Sequence, residues 1–533
     1  MLWLVLFAYW SQIVACDYLK WHFTLDWVVR DPAGHGPRPM IGVNGQWPLP
    51  TLWATEGDTI ELTVVNLLNE SSTVHFHGIH FRGSNEMDGA SMVTQCPITP
   101  GGSYTYKFQV NQSGTYWYHS HLMTQYGDGL RGVFIVRPKE AIPNLKFDEE
   151  AVMSLTDYYQ CLSETCLQEV QDGYPIKEDP VAVLMNEMAE YKWQVEANKT
   201  YLVHLANMAV EAGRYLYIED HNLTVVEVDG NWVEPRTVEF IHTLPGQRVS
   251  FLVQTKENAN VNFMIGVYID PQTINVPVNG TNQTHWMVYN PSAPTSKSIP
   301  VVDAFDDVFD DSMIAPLTQT PLLPQPNITI NLEANSVFRS WANSSSHSTK
   351  VETVWQTFNN HTYSAPKVPT LQTALSAPNN LKLNPKIYGS CVIPYVLPLN
   401  SVVELRFEGL DDLTHPMHGH GHSFQIVEKN GVYYNQSNIP LRDTVGLEPQ
   451  STLTLRFKAD NPGVWLFHCH LEYHMDMGLG LTSIEAPDQL RVHSTKEDER
   501  NCKQLGTPMV GNVAGFTNDW TNDRGYCKEL WEQ

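Results

Sequence analysis

Two stretches separated by most of the chain align residue for residue. GTYWYHSH (114–121) matches GVWLFHCH (463–470), pairing Gly114 with Gly463, His119 with His468, Ser120 with Cys469 and His121 with His470. Each copy is preceded by a further His-x-His: HFHG (75–78) before the first and HPMHGHGHSF (415–424) before the second. A repeat of this kind marks two copies of one folding unit. Tracts such as TIELTVVNLL, SYTYKFQV, VELRFEG and TLTLRFKA alternate apolar and polar residues between turns, the period of a half-buried strand. The expected class is all-β, sandwich or barrel.

A length of 533 residues accommodates about three such domains. We divide the chain into a leader (1–16), a first domain (17–140), a second (141–300), a linker containing APLTQTPLLPQPN (301–326), a third domain (327–485) and a polar extension (486–533). The second domain carries strand-like TYLVHLAN, LTVVEVDG and QRVSFLVQT but no His-x-His pair, and reads as scaffold. MLWLVLFAYWSQIVAC has the length and small-residue end of a secretory signal, though no basic n-region. No later segment is apolar for long enough to span a membrane. Sequons at Asn69, Asn111, Asn198, Asn222, Asn279, Asn282, Asn327, Asn343, Asn360 and Asn435 fit a glycosylated, exported product. A net charge of -25 argues against nucleic acid as a partner and suits cationic or neutral substrates. With Cys16 assigned to the leader and Cys469 to chemistry, Cys96, Cys161, Cys166, Cys391, Cys502 and Cys527 can close three bridges of open connectivity. Two of them lie in the extension, which reads as a tail stapled to the body.

The chemistry follows from strand parity. Side chains two apart share a face, so His75 with His77, His119 with His121, His418 with His420 and His468 with His470 form four pairs, eight imidazoles able to hold several copper ions. Cys469 must then face the opposite way, where it can meet His415, three residues from His418 and of the other parity, and His474. Two histidines and a thiolate are the blue-copper set, with Leu479 in the place of the weak axial ligand. His468-Cys469-His470 thus reads as a wire from one copper to a separate cluster.

HFHG, GTYWYHSH, HPMHGHGHSF and HCHLEYHMDMGL resemble the four copper motifs of the multicopper oxidases, in particular the ascomycete group of laccases, pigment-pathway oxidases and iron-uptake ferroxidases. The similarity extends from about 20 to 485 through RPMIGVNGQWPLP, MDGASMVTQCPITPG, YSAPKVPTLQTAL and RFKADNPGVW. It implies three consecutive cupredoxin-like Greek-key domains and four copper ions. Type 1 copper would take His415, Cys469 and His474. Type 2 would take His75 and His418, and the type 3 pair His77, His119 and His470 on one ion with His121, His420 and His468 on the other. Asp88 and Glu472 match acids beside the cluster in relatives, as proton donors or as carboxylates orienting a ligand histidine. Gly419 stands where the family usually has leucine, a loss expected to loosen packing between ligands. His80 and His422 are extra histidines, expected to lie outside the ligand set.

The substrate is argued from acids. Asp411 matches one carboxylate with which ferroxidases of this group bind ferrous iron. The other two positions fall at Glu178 or Asp179 and at the uncharged Asn275, and the ferroxidases' C-terminal anchor has no counterpart. These losses lead to the expectation of a secreted or wall-associated laccase-type oxidase of phenols with dioxygen as acceptor, acting in pigment or secondary-metabolite synthesis. A soluble ferroxidase oxidising Fe2+ is the alternative, and a copper-storage protein the third reading.

Overall fold

The computed structural model describes residues 16–171, 180–257, 260–274, 282–296, 307–341, 351–434 and 437–530. The proposed leader, apart from Cys16, and the positions Glu178, Asp179 and Asn275 lie outside them.

Three β-sandwiches follow one another along the chain, each with its own apolar core. In the first, Thr59–Asn66 buries every second residue, placing Ile60, Leu62 and Val64 in the core. It is hydrogen-bonded between Tyr18–Arg30 and Ser103–Gln109. The second sandwich consists of two six-stranded sheets, the third of a seven- and a five-stranded sheet. The repeat seen in the sequence recurs in the strand registers. His75–His77 pairs antiparallel with Gly114–His119, setting His75 opposite His119; His415–Gly419 pairs antiparallel with Gly463–Cys469, setting His418 opposite His468.

The segment expected to be a linker is docked where it is described. Val308–Phe309 adds a parallel strand to the second sandwich, Phe309 enters that core, and Asp311 pairs with Arg442 and Lys429 of the third. Burying these groups outweighs the chain entropy that its proline-rich composition would otherwise keep.

The extension is a strap. Helix Lys496–Leu505 is capped by the Thr495 hydroxyl, which accepts from the Asp498 N–H, and Asp498 in turn accepts from the Cys96 N–H. Disulfides Cys96–Cys502 and Cys391–Cys527 tie the extension to the first and third sandwiches, and Cys161–Cys166 closes a local loop. Cys96–Cys502 spans 406 residues, so opening it frees a very large loop in the unfolded chain. Cys502→Ala is expected to cost about 2–5 kcal/mol. Thermal unfolding reads this directly; a midpoint equal to that of the unaltered protein would show that the strap holds nothing.

Candidate copper centres

The His-x-His strands of the first and third sandwiches face each other edge to edge. His75 stacks on His420 with ring centroids 4.1 Å apart, and His77 on His418 at 3.9 Å. His121 approaches His420 at 5.0 Å and His468 at 5.2 Å; His119 and His470 lie 5.6 Å apart. All eight imidazoles expected from the sequence therefore meet in one place, half from each copy of the repeat.

Their hydrogen bonds decide which nitrogens are free. The Nδ1–H groups of His75, His119, His418 and His468 donate to the carbonyls of Asp88, Ser120, Asp443 and Cys469, while that of His420 donates to the Asp88 carboxylate at 2.8 Å. This leaves Nε2 of His75, His119, His121, His418, His420 and His468 buried with no partner, while His470 Nε2 and His77 Nδ1 face each other at 3.1 Å. Six unpartnered imidazole nitrogens converging in a buried space would be costly unless a cation receives them. Burial, followed by mutual repulsion or a nearby arginine, holds His77, His119, His121, His418 and His468 well below the ordinary imidazole range. His470 is lowered to about 3, chiefly by burial. The rings stay neutral, as metal ligands must.

The second centre lies on the other face of Gly463–Cys469. Cys469 Sγ is 3.6 Å from His415 Nδ1 and 3.9 Å from His474 Nδ1, and the two ring nitrogens are 3.1 Å apart. His474 is supplied by the short helix Glu472–Asp476, and Leu479 closes the loop by donating its N–H to the His474 carbonyl. Burial pushes the Cys469 thiol well above its usual range, so ionising it in place calls for a metal, which deprotonates a coordinated thiol. Cys469 and His415 are wholly buried whereas His474 is 5% exposed, so the His474 edge is where this centre reaches the surface. Asp411 stands beside it, accepting from His415 Nε2 at 2.9 Å and from the Ser336 hydroxyl at 2.7 Å. Burial alone would raise its carboxyl, but the His415 contact keeps it well below the carboxylate range and ionised.

Asp88 bridges two cluster histidines, as an orienting carboxylate does; burial opposes its ionisation, and His420 and His75 outweigh that. Glu472 makes no hydrogen bond to a cluster histidine. Its carboxyl is raised well above the ordinary range by burial and by Asp476 and Glu211. His80 faces Ser423 and His422 donates to Glu485, both away from the cluster. The expected loosening at Gly419 is not found: a Cβ there would lie 2.4 Å from the Phe424 ring and 2.8 Å from that of Phe467, so aromatic carbon already fills the place of the missing leucine.

The second sandwich does more than scaffold. Its Arg248, fully buried, donates to both carboxylate oxygens of Asp443 at 2.7 and 2.6 Å, and Asp443 lies 3.5 Å from His77 Nε2. Gly246, at φ +86°, comes so close that a Cβ would sit 2.8 Å from His470. Neither residue belongs to a motif, and a lone Arg in QRVSFLVQT reads as a solvated strand position.

A thiolate-and-two-imidazole site wired through adjacent histidines to an eight-imidazole cluster, on three cupredoxin-like domains, defines a copper-dependent oxidase. Profiles of the multicopper oxidase family match residues 24–141, 149–292 and 363–489. An iron transport multicopper oxidase of Candida albicans is 38% identical over 98% of this chain and 85% of its own length, and one of Gibberella zeae 39% over 96% and 83%. Among solved structures, Fet3p, a multicopper oxidase that functions in iron import, superimposes with a TM-score of 0.87 at 33% identity over 94% of this chain and 97% of its own. A laccase from Botrytis aclada gives 0.80 at 26% over 96% of each. The chain belongs to the multicopper oxidase family, and its cofactors are four copper ions: one type 1, one type 2 and a type 3 pair.

These findings overturn the laccase-type expectation, and with it the phenolic donor and the pigment pathway: the similarity is greater to iron-transport oxidases than to laccase. The inference from missing acids is overruled by these similarities, and Asp411, the acid that the chain does carry, accepts a hydrogen bond from His415. Among the described residues no helix is long and apolar enough to cross a membrane.

Proposed function

We propose that this protein oxidises Fe(II) to Fe(III) with dioxygen as acceptor. The observation that carries the reading is Asp411, an ionised carboxylate still partly exposed to solvent and hydrogen-bonded to the type 1 histidine His415. Hard carboxylate oxygens favour Fe(II), and the hydrogen bond offers its electron a short route inward. The iron-transport role named for relatives at 38% and 39% identity supports it. Three disulfides fit export into an oxidising compartment.

In this reading His415, Cys469 and His474 would hold type 1 copper, with Leu479 on the loop beside them. His75 and His418 would hold type 2; His77, His119 and His470 would hold one type 3 ion, and His121, His420 and His468 the other. Bound copper would supply one-electron acceptance at the first centre and reduction of dioxygen to water at the second. Cys469 with its two neighbours joins the centres covalently. Asp88 fixes the His75 and His420 rings, Asp443 and Arg248 fix His77 and His418, and Glu472 holds a proton in its buried carboxyl.

Oxygen consumption by the copper-loaded protein tests the reading. With Asp411→Ala, kcat/KM for Fe(II) is expected to fall at least about tenfold, roughly 1.4 kcal/mol, while that for an electron-rich phenol is unchanged. An iron rate indifferent to the substitution, or a phenol rate above the iron rate in the unaltered protein, would refute it.

A further inference from the structure

We propose that an apolar cavity inside the third sandwich holds dioxygen next to the histidine cluster before it is reduced. The cavity has a volume of about 20 Å³ and lies between the two sheets, walled by Leu405, Phe424, Phe457, Phe467 and Leu481. Gly419 and His420, at the end of the strand that carries the cluster imidazoles, line it from one side; Tyr395, half-buried on the edge strand Pro394–Leu397, lines it as well. The space therefore lies directly behind the backbone that presents His418 and His420 to the cluster.

Its chemistry selects an apolar guest. The polar groups that line it are almost all engaged: His422 Nε2 donates to Glu485 at 2.6 Å, and His420 Nδ1 donates to Asp88. Apart from His420 Nε2, which belongs to the cluster, Ser483 Oγ is the one lining side-chain atom that is buried without a partner among the described residues. A water molecule needs two to four polar partners to settle in a buried site and would find one here, whereas apolar cavities stay dry and take up apolar guests such as xenon. Dioxygen is small, apolar and consumed next door. Gly419 helps to shape the space: it lines the cavity, and its lack of a side chain lets the Phe424 and Phe467 rings close against the backbone that carries His418 and His420.

The test has two arms. Crystals of the copper-loaded protein pressurised with xenon should show xenon between Leu405 and Phe467. In the filled variant Leu405→Phe, kcat/KM for dioxygen should fall about threefold or more, with kcat at saturating dioxygen and KM for the electron donor unchanged. The milder Leu405→Met, expected to give a smaller loss of the same kind, serves if the phenylalanine variant does not fold. Absence of xenon from the unaltered protein overturns the proposal. So does xenon binding with unchanged dioxygen kinetics in the filled variant, which would make the cavity a packing void.

Discussion

Cys469→Ser protein is expected to fold, to carry three coppers in place of four, to lack the blue absorption, and to turn over at least about a thousandfold more slowly, some 4 kcal/mol of lost catalysis. A serine hydroxyl is not a thiolate ligand, so both the type 1 copper and the covalent electron route disappear together. The fold should survive because the first copy of the repeat already has Ser120 at the matching position, buried and donating to Gln125 at 2.7 Å. At 469 the hydroxyl would have the Leu471 N–H, 3.5 Å from the present sulfur, as a partner. Copper content, the visible spectrum and oxygen uptake check the three parts separately. Retention of full activity would refute the electron-path argument.

Arg248→Ala should have the largest effect on stability. Arg248 holds Asp443 through two hydrogen bonds and lies 3.4 Å from Asp229; Asp229 is shared with Arg442, which also binds Asp311. All these groups are buried, and they join the second sandwich to the third. Removing one partner of a buried pair strands the other, at a cost of about 3–5 kcal/mol, a large part of the ~5–15 kcal/mol that typically holds a domain folded. Burial already pushes the Asp443 carboxyl upward, opposed first by Arg248, so without the guanidinium it should take up a proton. His77 and His418 would then lose the charge beside them, and copper should be lost from the cluster before the protein unfolds. Thermal unfolding and copper analysis after dialysis read the two effects. If neither the midpoint nor the copper content moves, the network does not support the site.

Much of the copper site was legible because strand geometry is local. A period of two puts His468 and His470 on one face and Cys469 on the other without knowledge of anything distant. The same parity placed His415 with Cys469, and the duplicated motif implied that two such strands would converge. Gly419 misled because a missing side chain says nothing about which ring moves in to replace it. The donor misled because acids missing elsewhere in the chain say nothing about the one present: Asp411, legible in the sequence, accepts from His415 in the fold.

The sequence alone determined the all-β class, the duplicated copper motifs and the parity that separates the thiolate from the cluster, since each follows from the spacing of neighbouring residues. Only the tertiary structure decided how the cluster is held shut. Arg248 and Asp443 are 195 positions apart, on different sandwiches, and nothing in the residues flanking either predicts the other. Charge pairing depends on distance through space, and that distance exists only once the three domains have packed.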